Sequence, residues 1–111
     1  QIQSGNKITS LACITLQHGD DLITEAAIGD GPVDATCNAV MRIVGGSWPL
    51  VTYEIKAVTG GLDALGEVIV RVEHDGSTFT GRGLYTDVIE ASILAYINAI
   101  NRAYAHRRKM Q

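Results

Sequence analysis

The apolar positions of the chain follow two periods. Over 50–58, Tyr53, Ile55 and Ala57 alternate with Thr52, Glu54 and Lys56. Over 64–73, Val68, Val70 and Val72 alternate with Glu67, Arg71 and Glu73. A period of two belongs to antiparallel strands that rest one face on a core. From 32 to 44 the period lengthens, and Val33, Cys37, Val40, Met41 and Val44 form one stripe at helical spacing. Pro32 suits the first turn of that helix, where its missing N–H costs nothing. A second helix is predicted over 86–105, with Ile89, Ile93, Tyr96, Ile97, Ile100 and Tyr104 as its stripe. Thr86 or Asp87 can cap it, and Glu90 follows Asp87 at capping-box spacing. Further strands are predicted over 1–4, 8–17, 22–28 and 77–81, and His74-Asp75-Gly76 reads as a hairpin turn.

These elements repeat. Gly29-Asp30-Gly31-Pro32-Val33-Asp34 precedes the first helix, and Gly81-Arg82-Gly83-Leu84-Tyr85-Thr86-Asp87 precedes the second, with Gly29 and Gly81 52 residues apart. Ile14 to Asp20 parallels Val70 to Gly76, and Gln3-Ser4-Gly5 parallels Val58-Thr59-Gly60. Each half therefore reads as three strands, a Gly-x-Gly turn and a helix. The expected fold is α+β: duplicated βββα units, antiparallel sheets with helices packed on them. Unit one covers about 1–45 and unit two about 48–105, followed by a basic tail at 106–111. Units this small are expected to bury their apolar faces against each other or in a dimer. The chain opens on Gln1 rather than Met, inside what reads as the end of a strand, so a piece cut from a longer protein is expected.

Bulk composition narrows the function classes. The 111 residues are 46% hydrophobic and 19% charged, the size and make-up of one globular domain. A net charge of −3 gives no reason to expect a polyanionic partner such as nucleic acid, and Arg107-Arg108-Lys109 reads as a solvated end. Cys13 and Cys37, 24 residues apart without a CxxC, read as buried free thiols of a cytoplasmic protein. No apolar stretch approaches the roughly 18 residues of a membrane span, and no signal peptide is visible.

Catalytic patterns are not found. His18 and His74 fall in equivalent hairpin turns and His106 in the tail, without the helical i,i+4 spacing of a zinc site. Ser92 lies within a helix and lacks the sharp turn of a hydrolase nucleophile, while Asp20 and Asp21 read as solvated turn residues. The Gly-x-Gly turns hold more promise. Glycines before a helix start can aim backbone N–H groups and the helix dipole at a small anion, although the same pattern can serve only as a tight turn. A free amino acid needs such N–H groups for its carboxylate, an acidic group such as Asp30, Asp34 or Asp87 nearby, and an apolar hollow. Leu50, Tyr53, Ala57, Ala64 and Val68 could line that hollow.

Three motifs occur in order: Gly29-Asp30-Gly31-Pro32-Val33-Asp34-Ala35; then Tyr53 to Gly66, YEIKAVTGGLDALG; then Gly81-Arg82-Gly83 with Thr86-Asp87-Val88-Ile89-Glu90-Ala91-Ser92, leading into Ala95 to Asn101. With these the chain resembles the C-terminal regulatory domain of 2-isopropylmalate synthases, shared with citramalate synthases, over nearly its whole length. The resemblance implies a dimeric domain that binds the pathway's end product, leucine or, in citramalate synthases, isoleucine, and inhibits a separate TIM-barrel domain. That barrel would use acetyl-CoA and a divalent metal, so no cofactor is expected in this chain. The effector-binding residues so implied are Gly29, Asp30, Gly31, Ala35, Leu50, Tyr53, Ala57, Ala64, Val68 and Asp87. The competing readings are a dimerisation module without a ligand and a free-standing small enzyme.

Overall fold

Alternation drives the first element. In β1 (Ser10–His18), Ala12, Ile14 and Leu16 are shielded while Leu11, Cys13 and Thr15 are exposed. In the computed structural model, which describes residues 9–58 and 65–109, β1 pairs antiparallel with β2 (Asp21–Gly29), matching Ala12 with Ala27 and Leu16 with Ile23. Helix α1 (Pro32–Val44) covers the face that carries these residues, burying Ala35, Cys37, Ala39 and Val40. Thr36 is buried too, and its hydroxyl donates to the Pro32 carbonyl at 2.7 Å. Together these elements form the compact unit that ends at Gly45. The strand expected over 1–4 lies outside the described residues.

A second compact unit begins at Gly46. Its sheet runs β3 (Leu50–Val58), β4 (Leu65–His74), β5 (Ser77–Tyr85) in that order, all antiparallel, and helix α2 (Val88–Lys109) crosses one face. The β4–β5 turn has positive φ at Asp75 (51°) and Gly76 (79°), the geometry that an Asp-Gly hairpin supplies. Val68, Val70 and Val72 on β4 are buried, as are Ala91, Ala95, Tyr96, Ala99 and Ile100 on the helix that packs against it. Trp48 joins them at 1% exposure, and its carbonyl accepts a 2.7 Å hydrogen bond from the Tyr96 hydroxyl. Among the described residues no helix is long and apolar enough to cross a membrane.

Two strands and a helix recur in each unit, but with a spacing that differs from the glycine spacing. β2 and β5 begin at Asp21 and Ser77, and α1 and α2 at Pro32 and Val88, an offset of 56 in both cases. His18 and His74 obey that offset; Gly29 and Gly81 do not. The counterpart of Gly29-Asp30-Gly31 is therefore Tyr85-Thr86-Asp87. Gly81-Arg82-Gly83 is not a turn before a helix: β5 continues through it to Tyr85. A Cβ on Gly81 would run into the Ala95 carbonyl and come within 2.9 Å of the Ala99 methyl; one on Gly83 would run into the Ala91 carbonyl. These glycines let α2 lie close on the strand.

The same close approach corrects the α2 stripe. Its buried row is Ala91, Ser92, Ala95, Tyr96, Ala99, Ile100 and Ala103; Ile89, Ile93 and Ile97 lie at the flanks and Tyr104 is exposed. Small residues face the sheet where glycines bring it nearest, which displaces the bulky ones from the centre. α2 also starts at Val88 rather than 86 and carries the basic residues through Lys109 as its last turn. Cys13, expected in the core, is exposed on the outer face of β1; Cys37 is buried.

Candidate functional site

At the end of β2, Gly29 lies so close to α1 that a Cβ would run into the Ala35 backbone and approach Asp34 Oδ2 to 2.6 Å. Gly31 is the N-cap with φ 142°, in the region that favours glycine, and it caps without a side-chain hydrogen bond. Pro32 occupies the first turn, and the Ala35 amide closes the helix onto the Gly31 carbonyl at 3.0 Å. The Asp30 amide donates to Asp34 Oδ2 at 2.8 Å. A carboxylate thus already stands at this helix start, supplied by the chain itself. It accepts from the amide one residue before the N-cap and lies at the positive end of the dipole, where a negative charge is favoured. Gly29, Asp30, Gly31 and Ala35 come together in this one turn.

The corresponding start of α2 is capped differently. Asp87 Oδ1 accepts from the amides of Ile89 at 2.6 Å and Glu90 at 3.3 Å, an N-cap of the ordinary acidic kind. Among the described residues no hydrogen bond runs from Glu90 back to Asp87, and Asp87 Oδ1 carries the cap. Tyr53, on β3, is half-buried and its hydroxyl lies 2.7 Å from Ser92 Oγ. Ser92 Oγ in turn donates to the Val88 carbonyl at 2.7 Å, so the phenol proton goes to the serine. Tyr53 is paired with Val70 across the strands, and Val68, one row along with Ile55, is fully buried. Leu50 starts β3 and is 38% exposed. Ala57 sits on β3 opposite Gly66, with its side chain outside the described residues, as is the whole of Ala64.

Two groups escape the sequence reading. Ser92, set aside as a non-nucleophile, is the partner that orients Tyr53; its counterpart at the 56-residue offset is Thr36, which bonds its own helix in the same way. That offset was the signal that could have linked them. Trp48, the single tryptophan, is buried although it precedes a proline in a turn-like stretch. In unit one, burial pushes the Cys37 thiol up to about 11, with the Asp34 carboxylate adding to the effect. Among the described residues no three His, Cys, Asp or Glu side chains gather where a metal ion could be held.

Residues 1–104 match the family described as "LeuA allosteric (dimerisation) domain". The chain belongs to this LeuA family. It is 55% identical over 103 residues to a 2-isopropylmalate synthase of Ruminiclostridium cellulolyticum, covering 93% of this chain and 20% of that protein. A 2-isopropylmalate synthase of Methylacidiphilum infernorum is 51% identical over 94 residues, 84% of this chain and 19% of its own length. One from Clostridium kluyveri is 43% identical over 104 residues, 94% and 20% respectively. The chain thus spans about a fifth of the length of these relatives. The LeuA match takes in both glycine motifs, Tyr53 and Asp87, and stops at Tyr104, short of the last basic turn of α2.

Proposed function

We propose that this LeuA domain binds a branched-chain amino acid, with leucine as the effector, and that binding feedback-inhibits an acetyl-CoA-condensing synthase of the 2-isopropylmalate type. The observation that carries this reading is the match of residues 1–104 to a family described as allosteric, together with relatives that all bear the synthase name. Acetyl-CoA and a divalent metal belong, in this proposal, to a TIM-barrel domain of the longer parent protein, and the domain acts as a homodimer. Isoleucine is the alternative effector, as in a citramalate synthase, because leucine and isoleucine differ only in branching and hydrophobic pockets discriminate such pairs modestly.

The residues proposed to respond to the effector are, in unit one, the glycine turn (Gly29, Asp30, Gly31, Ala35) and, in unit two taken by itself, Leu50, Tyr53, Ala57, Ala64, Val68 and Asp87. An effector carboxylate at the turn competes with Asp34 for the Asp30 amide, so its binding and the local cap are coupled. The effector shifts the synthase only by its difference in affinity between active and inhibited arrangements, and a coupling of about 1–3 kcal/mol is ordinary for such domains.

Kinetics of the parent synthase test the assignment. Tyr53→Ala or Asp30→Ala is expected to raise the leucine concentration needed for half-inhibition by about tenfold, or one such coupling energy, while uninhibited turnover stays nearly unchanged. Collapse of the uninhibited turnover, or unaltered inhibition in both variants, contradicts it.

A further inference from the structure

Two hydroxyls and a carbonyl form a line within unit two. The Tyr53 hydroxyl on β3 lies 2.7 Å from Ser92 Oγ, and Ser92 Oγ lies 2.7 Å from the Val88 carbonyl oxygen, one turn earlier in α2. Both are ordinary lengths for O–H···O hydrogen bonds. The line has one direction. A carbonyl only accepts, so the single Ser92 proton goes to Val88, and the phenol proton then goes to Ser92. Ser92 is 1% exposed, which keeps solvent from taking either bond apart. Thr36, its counterpart in unit one, is also buried and makes the same bond to the Pro32 carbonyl at 2.7 Å.

That direction decides what Tyr53 has left to offer. With its proton committed, the phenol oxygen keeps only lone pairs, so any second partner must be a donor. The start of α2, to which the line runs, has the same character. Asp87 Oδ1 accepts from the amides of Ile89 and Glu90, and the Asp87 carbonyl accepts from the Ala91 amide at 2.9 Å. These three amides are in use, and what stands before them is a carboxylate. Acceptors and a negative charge suit a cationic donor and repel an anion.

A free amino acid carries one group of each kind: an ammonium that only donates and a carboxylate that only accepts. We infer, on the footing of the effector reading above, that unit two receives the ammonium. The Tyr53 oxygen accepts from it, and Ser92 is the positioning residue that holds the phenol in the accepting sense. A branched acid without an amine meets an oxygen that has no proton to give it, so the site selects amino acids over such acids.

Calorimetry of the 111-residue chain tests this with leucine and with isocaproate, which keeps the side chain and carboxylate of leucine but lacks the amine. Tyr53→Phe is expected to weaken leucine about tenfold, the low end for a hydrogen bond to a charged group, and to leave isocaproate unaffected. Ser92→Ala frees the phenol proton and is expected to weaken leucine at least about threefold, with no further effect in the Tyr53→Phe background. Ser92→Thr, which supplies the residue that makes this bond in unit one, is expected to bind leucine like the unaltered chain. Three results overturn the assignment: leucine affinity that ignores Ser92→Ala, a full further loss from Ser92→Ala in the Tyr53→Phe background, or an equal weakening of isocaproate and leucine by Tyr53→Phe. No heat from leucine with the unaltered chain is a different result, and it sinks the effector reading together with this refinement of it.

Discussion

The two units are copies of one design, yet each brings its helix to its sheet at a different point. In unit one the nearest approach is at the end of the strand, where Gly29 meets the Ala35 backbone at the first turn of α1. In unit two it is mid-strand, where Gly81 and Gly83 lie under the Ala91–Ala95–Ala99 row of α2. At the 56-residue offset Tyr85 stands where Gly29 does, while Glu25 and Ala27 stand where Gly81 and Gly83 do. A glycine pair upstream of a helix thus has two meanings. In one copy it makes a turn with φ 142° at Gly31 that exposes a helix start; in the other it is extended strand, thinned so that a helix can approach.

The largest effect expected from this contrast is on stability. Gly81→Val places a branched side chain against the Ala95 carbonyl and is expected to cost about 3 kcal/mol or more in urea unfolding, the upper end of overpacking. The control in the other unit is Ala27→Gly, at the counterpart of Gly83, which should cost no more than about 1 kcal/mol. Equal costs in the two variants would break the comparison.

A smaller effect is tied to unit one alone. The Cys37 thiol, held up to about 11 against an ordinary 9.0, stays protonated in the folded chain where the unfolded chain has begun to ionise. The unfolded state then binds fewer protons, so stability is unaffected below about pH 9 and falls as pH rises from 9 toward 11, by on the order of 2 kcal/mol. Cys37→Ala is expected to remove that part of the slope; unchanged pH dependence would show that the thiol is not held by burial.

The smallest effect compares the caps. Asp34→Ala and Asp87→Ala each remove a carboxylate that serves backbone amides at a helix start, and each should cost about 1 kcal/mol by thermal unfolding. A much larger loss from Asp34→Ala would mean that the unit-one turn depends on its internal carboxylate far more than an ordinary cap does.

Most of the architecture was legible from periodicity. α1 begins and ends at the predicted residues, and β3 spans the predicted 50–58, because a period of two or of 3.6 is written directly into which side chains must be buried. What was not legible came from close approach between elements. A Gly-x-Gly pair has no periodicity of its own, so β5 read as ending at 81, and the bulky residues of α2 outweighed the alanines that actually face the sheet. Cys13 misled for a related reason: alternation fixes which residues share a face, and the faces of a hairpin flanked by apolar residues on both sides look alike. At the candidate site, the glycine turn and the Asp87 cap were visible as motifs. The internal bond from the Asp30 amide to Asp34, and the Tyr53–Ser92 pair 39 residues apart, depend on tertiary distances that local pattern does not carry.

The measurement that bears most directly on the sensing role is isothermal calorimetry of the 111-residue chain with leucine, isoleucine and valine in turn. The account predicts saturable heat with leucine, strongest of the three, and a loss of that heat in Tyr53→Ala. Three silent titrations would contradict it and leave a dimerisation module that binds no amino acid.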